Sequence, residues 1–283
     1  MINSAAYSRH GSQSPQSPVI LSVPHAGRAY PAGCAHLLRV PLERLLPLED
    51  RYADGMAAMC IAQGITAFIA QVPRLWIDLN RTEHEIDPNM IMPQPLTAPF
   101  MTHKVRSGLG LVPARLGGVG EIWRTRLSHD DLNERIVRVY RPYHAALGAA
   151  LAAARACFGW AVLIDLHSMP PLKGADAAQI VIGDRFGRSA DMQLSDCARL
   201  ISESAGYRVA MNTPYAGGAI LERHANPTNH IHAIQIEVDR QLYLDAAFRE
   251  TGKGLYKIQR LIAQIAHELA IVYPLSDVAQ AAE

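Results

Sequence analysis

The sequence predicts an α/β fold in which a largely parallel sheet is covered by helices on both faces. Short runs of apolar and β-branched residues alternate along the chain with longer segments of helical periodicity. This alternation is typical of βαβ units and of parallel sheets. The 283 residues are 49% hydrophobic and 19% charged, which is a globular composition. A chain of this length buries roughly three quarters of its unfolded surface, so it needs no disulfide or metal in order to fold.

The predicted strands are short apolar runs bounded by residues that interrupt a strand. The first run is β-branched and stops at Pro24, and the second follows Gly64. The run that follows Phe158 and Gly159 is the most strand-like segment of the chain, and the last run alternates polar and apolar residues. The strand predictions cover residues 18–23, 65–71, 75–79, 160–166, 180–182 and 233–238.

The predicted helices carry apolar residues at helical spacing, and two of them end at a glycine. Gly64 and Gly206 are the C-terminal caps, and Pro142 marks a kink or a break within the longest helical segment. The helix predictions cover residues 49–63, 130–156, 189–205 and 253–272. Residues 87–120 are punctuated by proline and glycine and are predicted to be a long irregular stretch, a feature that is often functional.

The chain is predicted to consist of a tail and one domain. Residues 1–17 are rich in Ser, Pro and Gln and have little to bury, so they are predicted to form a flexible N-terminal tail. Residues 18–283 contain neither an internal repeat nor a linker and are predicted to form a single catalytic domain.

Charge and cysteine content limit the classes of function. Lys and Arg number 27 and Asp and Glu 26, so the net charge of +1 provides no basic field for a nucleic acid. No apolar run reaches the roughly 18 residues that span a bilayer, and the N-terminus lacks the apolar core of a secretory signal. The four cysteines form no CxxC pair, which favours reduced thiols. We therefore expect a cytoplasmic protein with a small-molecule partner and with no nucleic-acid or membrane partner; the oligomeric state is not indicated.

Residues suited to metal chemistry lie in or near the ends of three of the predicted strands. His25 follows the first strand, His167 ends the strongest one, and Glu237 lies in the last. In an open α/β sheet, ligands bind beyond the carboxyl ends of the strands. Two histidines beside a carboxylate are the ligand set of a catalytic zinc ion, which keeps one position open for water. Cobalt and manganese also accept such ligands, so another divalent metal is compatible with the sequence.

A third protein ligand is expected near the start of the helix that follows the first loop. Asp50 and its neighbour Glu49 are both candidates, and Asp54 lies one helical turn further on. Each of these carboxylates could instead cap the N-terminus of the helix. The pair His230 and His232 also has a metal-like spacing, although a substrate contact or a core hydrogen bond is the preferred interpretation for it.

A series of short motifs extends from about residue 18 to about residue 245. The series runs VPHAG and Tyr30-Pro31, Glu49-Asp50, Pro73-Arg74, residues 77–81 (IDLNR), residues 110–113 (GLVP), residues 141–144 (RPYH), residues 165–170 (DLHSMP), residues 183–185 (GDR), Gly217-Gly218, and residues 230–232 (HIH) leading to residues 237–240 (EVDR). In this order the motifs resemble the N-formylglutamate amidohydrolase family.

The resemblance implies a three-layer α/β/α fold with a mostly parallel mixed sheet, similar to zinc carboxypeptidases and zinc amidases. It implies hydrolysis of an N-formyl or other N-acyl amino acid at a water activated by zinc. The metal ligands implied by the resemblance are His25, Asp50 and His167. Glu237 matches the catalytic carboxylate of such amidases, where it would act as general base, although it could also be a buried ion-pair partner.

A dicarboxylate substrate requires cationic side chains in the site. The planar fork of arginine is best suited to a carboxylate, and Arg81, Arg74 and Arg223 are the candidates. Asn80 and His224 are candidates for additional contacts. Arg81 has an alternative structural role in a salt bridge to Asp78, and Asp165 is expected to orient His167.

Three hypotheses of function follow. The leading one is hydrolysis of N-formyl-L-glutamate to formate and L-glutamate, the deformylating step of histidine breakdown. The second retains the zinc and changes the substrate to another N-acyl amino acid or a small peptide-like amide. The third is a non-enzymatic protein that uses the fold for binding only.

Overall fold

The computed structural model describes residues 5–94 and 101–272. The strands are β1 (Tyr7–His10), β2 (Val19–Val23), β3 (Thr66–Ala70), β4 (Ile91–Met92), β5 (Arg115–Leu116), β6 (Gly120–Glu121), β7 (Leu127–Ser128), β8 (Ala161–Met169), β9 (Ile180–Gly183), β10 (Val209–Met211) and β11 (Ile231–Asp239). The α-helices are α1 (Ala53–Met56), α2 (Ala58–Ala62), α3 (His103–Arg106), α4 (His129–Arg135), α5 (Arg141–Phe158), α6 (Met192–Ser204), α7 (Ala219–His224) and α8 (Leu255–Val272). A π-helical segment, Ile136–Tyr140, lies between α4 and α5.

Seven strands form one sheet in the order β1-β3-β2-β8-β11-β9-β10. The central strand β8 pairs in parallel with both β2 and β11, and β10 pairs in parallel with β9. In the same sheet, β11 pairs with β9 in the antiparallel direction. The predicted α/β class with a mostly parallel mixed sheet is therefore confirmed.

The central strands are buried along almost their whole length, which explains why they are so apolar. Every residue of β2, β8 and β9 is buried, as is every residue of β11 after the first. A strand that is covered on both faces selects Val, Ile and Leu. The polar residues that interrupt these strands are therefore costly unless they have partners. They are Ser22, Asp165, His167, Ser168, His232, Gln235, Glu237 and Asp239.

Several predicted helices are confirmed close to their predicted bounds. The interruption predicted near Pro142 is present: the π-helical segment Ile136–Tyr140 separates α4 from α5, and Pro142 is the second residue of α5. Helix α6 ends at Ser204, two residues before Gly206, which adopts a positive φ of 86°. Helix α8 packs on β2 and β8 and also contacts α1, α2 and α6, while α7 packs on β11.

Two element predictions are wrong. Residues 75–79 are not a strand, because a turn that begins at Pro73 directs the chain away from the sheet and the backbone N–H of Asp78 donates to Leu111 O at 2.7 Å. The helix predicted over residues 49–63 starts only at Ala53, because Tyr52 has a left-handed φ of 57°, and it is divided into α1 and α2. Apolar spacing alone does not report such backbone interruptions.

The N-terminal prediction also needs correction. Tyr7–His10, which the composition placed in a flexible tail, form the edge strand β1. The backbone N–H of Gln71 donates to Ala6 O at 3.0 Å, so hydrogen bonds to β3 order a segment that has few apolar side chains. Most of residues 87–120 is irregular as predicted, with short elements within it, and residues 95–100 lie outside the described residues.

By its internal contacts the chain divides into two compact units. One comprises the chain up to Ser8, Pro24–Asp50 and Ile69–Ala146; it contains the two-stranded sheets β4-β7 and β5-β6. The other comprises Arg9–Val23, Arg51–Phe68 and the chain from Leu147 onward; it contains β8 to β11. That they form a single catalytic domain stays a prediction. Within the described ranges, no helix has the length and apolar character that a membrane span requires.

Candidate metal centre

His25 lies two residues beyond the end of β2 and is 3% exposed. Its Nε2 is 2.7 Å from Asp78 Oδ1, and its Nδ1 is 3.5 Å from Asp50 Oδ2. The carboxylate of Asp78 therefore accepts the Nε2–H, which fixes the tautomer in which Nδ1 carries the lone pair. This tautomer presents Nδ1 as the ligand atom, on the side of Asp50.

Asp78 is fully buried and is held by cationic groups on several sides. Arg74 Nε donates to Asp78 Oδ2 at 2.8 Å, Arg81 Nη2 lies 3.8 Å from the same oxygen, and the backbone N–H of Asn80 donates to Oδ1 at 2.8 Å. Burial acts to raise the pKa of Asp78, but Arg74, Arg81 and His25 together hold this pKa well below its usual range. Asp78 is therefore the permanently ionised partner of His25.

Asp50 is the carboxylate that lies beside His25. It is 2% exposed, and its backbone N–H donates to His25 O at 3.0 Å, which ties the two residues together. The neighbouring Glu49 accepts a hydrogen bond from the hydroxyl of Tyr30, and Asp54 lies on α1. Of the three carboxylates that the sequence left open, Asp50 is the one that joins the histidines in a cluster.

His167 lies in β8 and is fixed by a chain of hydrogen bonds within the sheet. Its Nε2 is 2.9 Å from Asp165 Oδ2, and Ser22 Oγ of the neighbouring strand donates to Asp165 Oδ1 at 2.8 Å. The register pairs Ser22 with Asp165, so the hydroxyl and the carboxylate meet across adjacent strands. As at His25, a carboxylate on Nε2 makes Nδ1 the ligand atom.

The three residues named as metal ligands come together. One ligand atom each from His25, Asp50 and His167 lies within 4.8 Å of the other two, and all three residues are buried. Two imidazoles and one carboxylate match the donors of catalytic zinc sites with three protein ligands. Each imidazole is also oriented by a second carboxylate, as is usual for histidines that bind a metal. The donor set therefore fits a zinc ion.

Glu237 lies next to His167 in the sheet. The register of β11 pairs Glu237 with His167, and paired residues of parallel strands project to the same face. Glu237 is 8% exposed, and Gln235 Nε2 donates to its Oε1 at 3.0 Å. It does not belong to the three-residue cluster. The role of Glu237 as general base stays a prediction.

The two arginines of the 73–81 segment are engaged within the protein. Arg74 and Arg81 both approach Asp78, and Arg81 also donates through Nε to Leu109 O at 2.8 Å and through Nη1 to Asn80 O at 2.6 Å. Both Asn80 and Arg81 are buried. The salt bridge to Asp78, which the sequence left open as an alternative role for Arg81, is thus present. A contact of Arg74, Asn80 or Arg81 with substrate stays a prediction.

Arg223 and His224 are the last two residues of α7. Arg223 is exposed. Burial and, to a smaller extent, the charge of Arg223 lower the pKa of His224 to about 4, against an opposing effect of Asp165. His224 is therefore neutral at pH 7 and can donate or accept a hydrogen bond, and a substrate contact for either residue stays a prediction.

The pair His230 and His232 does not join the cluster. His230 is exposed, and His232 is buried at the start of β11, where its Nδ1 accepts the backbone N–H of Asp191 at 3.2 Å. The geometry agrees with the preferred interpretation of a core hydrogen bond for His232.

A pH dependence of stability follows from His232. Burial is the main cause that lowers its pKa to about 4; Asp191 opposes the shift and His230 contributes to it. Between pH 6.5 and 4 the unfolded chain binds a proton that the folded chain does not, so the free energy of unfolding decreases as the pH falls, by roughly 3 kcal/mol at most. His232→Asn keeps an acceptor for Asp191 and is expected to flatten this decrease in urea melts. An unchanged slope would assign it to other groups.

Sequence reasoning missed three residues of the site. Asp78 was assigned only to a salt bridge, and neither Ser22 nor Tyr30 was assigned a role. Ser22 carried a signal, because it is the only polar residue in the run 18–23. The contacts of Asp78 with His25 and of Tyr30 with Glu49 join segments 53 and 19 positions apart, and no local pattern encodes them.

Comparison with known proteins agrees with the geometry. The model of the family described as N-formylglutamate amidohydrolase matches residues 17–244. The chain belongs to the N-formylglutamate amidohydrolase family. Its membership confirms the resemblance carried by the motifs.

Relatives of known name are similar over most of their length. The N-formylglutamate deformylases of Pseudomonas putida and Pseudomonas aeruginosa are each 28% identical to the chain, and each alignment covers 81% of this chain and 82% of the relative. The crystal structure of an N-formylglutamate amidohydrolase from Ralstonia eutropha JMP134 aligns with a TM-score of 0.87 at 30% identity, covering 94% of this chain and 98% of that one. A gene product from Agrobacterium tumefaciens, at 18% identity and a TM-score of 0.70, shares the fold.

Proposed function

We propose that the chain hydrolyses N-formyl-L-glutamate to formate and L-glutamate with a zinc ion held by His25, Asp50 and His167. The observation that carries the proposal is the convergence of these three buried residues, each histidine having its own carboxylate. The names of the Pseudomonas relatives and of the Ralstonia structure supply the substrate. Cobalt or manganese would suit the same donors.

Amide hydrolysis requires a strong nucleophile and stabilisation of the developing oxyanion. A bound zinc ion lowers the pKa of water toward about 7 and polarises a carbonyl group. Glu237 takes the proton from the attacking water and delivers it to the departing nitrogen of glutamate. The hydrogen bond from Gln235 keeps the Glu237 carboxylate on the face of the sheet that carries His167.

The histidine–carboxylate pairs hold the donors in place. Asp78 and Asp165 each accept the Nε2–H of one histidine, which fixes the ring orientation and makes Nδ1 more basic. Arg74 and Arg81 keep Asp78 ionised, and Ser22 orients Asp165. The chain thus prepares both imidazoles before substrate arrives.

Recognition of the glutamate portion is assigned to cationic and polar side chains near the site. Arg74, Arg81 and Arg223 are the proposed partners of the two carboxylates, with Asn80 and His224 as additional contacts. Arg74 combines an ion pair with partial exposure of 18%, and in this respect it is better suited than the buried Arg81 to reach a substrate. Paired hydrogen bonds from one guanidinium would select a carboxylate over a neutral side chain.

The proposed setting is the cytoplasm and the breakdown of histidine. The four cysteines are all free thiols in the structure, which is compatible with a reducing compartment. The assignment to histidine breakdown rests on the family resemblance. We expect purified protein without a partner to be sufficient for turnover, because the three proposed metal ligands belong to one chain.

The experiment that tests the proposal measures formate release from N-formyl-L-glutamate together with the zinc content of the purified protein. We expect turnover by the zinc-loaded protein, complete loss after treatment with a chelator, and recovery when zinc is restored. Loss is expected because the three protein ligands cannot activate water on their own. Far-ultraviolet circular dichroism before and after chelation controls for unfolding.

A substrate panel separates the competing assignments. N-formyl-L-aspartate and N-acetyl-L-glutamate are assayed beside N-formyl-L-glutamate at equal concentrations. Faster turnover of either analogue would replace the proposed substrate by another N-acyl amino acid. Zinc-loaded protein that hydrolyses none of them would contradict the enzymatic assignment and favour a binding protein.

A further inference from the structure

Arg135, at the end of α4, is a buried cation that the proposed reaction does not use. It is 3% exposed, its Nη1 donates to Trp76 O at 2.9 Å, and its guanidinium lies 3.6 Å from the ring centre of Trp76 and 5.1 Å from that of Trp123. In the described part of the chain it forms no ion pair with a carboxylate. Burial lowers the pKa of Arg135 to about 10, so the group stays charged at pH 7.

A guanidinium carries five N–H donors, and one of them is used here. Stacking on an indole stabilises the charge but satisfies none of the remaining donors. The remaining donors of Arg135 have no acceptor in the described part of the chain and are therefore available to water or to a ligand.

Trp76 adds a second donor at the same place. Its Nε1 is buried and has no hydrogen-bond partner among residues 5–94 and 101–272. By contrast, the corresponding group of Trp123 donates to Pro113 O at 2.7 Å. Arg135 and Trp76 stack on each other, and both carry N–H groups without an acceptor in the described part of the chain, so we treat them as one site.

Both residues line a cavity of about 220 Å³, together with Trp123. Leu37 and Leu127 provide further apolar wall. Cavities for drug-sized ligands start at about 300 Å³, so an occupant of this one is small. None of the candidate metal ligands and neither Glu237 nor Arg223 contributes to the lining.

The acidic residues at the cavity do not supply the missing acceptors. Asp131 is engaged by the backbone and hydroxyl of Ser128 in the capping box of α4. Glu134 forms an ion pair with Arg138 at 3.2 Å. Arg126 and Arg135 balance these two acidic charges, so the lining has no net formal charge. Asp131 and Glu134 have partners of their own, whereas the buried guanidinium of Arg135 forms no ion pair within the described residues, so the ligand that would complete it is an anion.

We propose that this cavity binds a small aromatic carboxylate, a molecule of one ring that bears one carboxylate group. The carboxylate accepts hydrogen bonds from Arg135 and from Trp76 Nε1, and the ring lies against Trp123, Leu37 and Leu127. The anion completes a charge-assisted pair with the buried guanidinium, and the flat body suits walls built of indole and leucine.

The test uses benzoate as the probe, titrated into the full-length, zinc-loaded protein by isothermal calorimetry. Benzamide has the same ring without the charge, and inorganic phosphate has charge without the ring. We expect saturable binding of benzoate and at least about 10-fold weaker binding of both other compounds, since the site requires both features. Equal binding of benzamide or of phosphate, or no binding of benzoate, would overturn the proposal.

Three variants locate the site. Arg135→Met is expected to weaken benzoate binding at least about 10-fold, and Trp76→Phe, which keeps a stacked ring and removes the donor, a few-fold. Arg155→Met makes the same change on an exposed side chain of α5 that does not line the cavity, and it is the matched control. If Arg135→Met does not fold, the affinity of Trp76→Phe for benzoate tests the site instead. Unchanged affinity in Trp76→Phe, or equal loss in Arg155→Met, contradicts the site.

Discussion

Replacement of Glu237 by glutamine is expected to lower turnover of N-formyl-L-glutamate by about 100-fold or more, in keeping with the contribution of a general base. Zinc content is expected to stay near one ion per chain, because Glu237 lies outside the cluster of His25, Asp50 and His167. Glutamine keeps the size of the side chain and its contact with Gln235, but it cannot take a proton. The measurements are initial rates of formate release and metal analysis of the same sample.

A control and two contrary results make this prediction specific. Glu203→Gln makes the same chemical change on α6, where the side chain is 41% exposed and pairs with Arg199, and it should leave the rate unchanged. Full activity in Glu237→Gln would mean that another group removes the proton. A fall in zinc content together with the rate would make Glu237 a ligand instead of a base.

The position of the two histidines could be predicted because strand ends are visible in sequence. The runs that precede His25 and contain His167 are apolar enough to identify central strands, and β2 and β8 are neighbours. Parallel neighbours bring their carboxyl ends to the same edge of a sheet. Local composition and this general property of α/β sheets placed both imidazoles at strand ends, and the family resemblance indicated that the two of them share a metal; that β2 and β8 are neighbours is seen only in the structure.

The residues that hold the histidines could not be predicted in the same way. Asp78 lies in a segment that reads as a strand, yet its backbone N–H bonds to Leu111 and its carboxylate to His25. Both contacts depend on tertiary structure, which periodicity does not encode. The edge strand Tyr7–His10 is only half-buried, so it lacks the apolar signal that identified the central strands.

Replacement of Asp50 by asparagine is expected to weaken zinc binding by more than about 100-fold, beyond the 10- to 100-fold loss that is typical when only an outer partner of a ligand is removed. Formate release should fall in parallel. The reason is geometric: Asp50 Oδ2 lies 3.5 Å from His25 Nδ1, and the bond from its backbone N–H to His25 O holds it there. Asparagine retains this backbone bond but has no charged oxygen for the metal. Zinc affinity is measured by competition with a chromophoric chelator.

The neighbouring carboxylates provide matched controls for Asp50. Glu49→Gln keeps an acceptor for the hydroxyl of Tyr30, and Asp54→Asn changes a residue of α1 that lies outside the cluster. Glu49→Gln should retain zinc and activity, because adjacent residues of an extended segment point to opposite sides and only one of Glu49 and Asp50 can face the histidines. Asp54→Asn should retain both because Asp54 is not part of the cluster. If Glu49→Gln loses zinc while Asp50→Asn keeps it, then Glu49 is the ligand and the hydrogen bond from Tyr30 orients a metal-binding carboxylate.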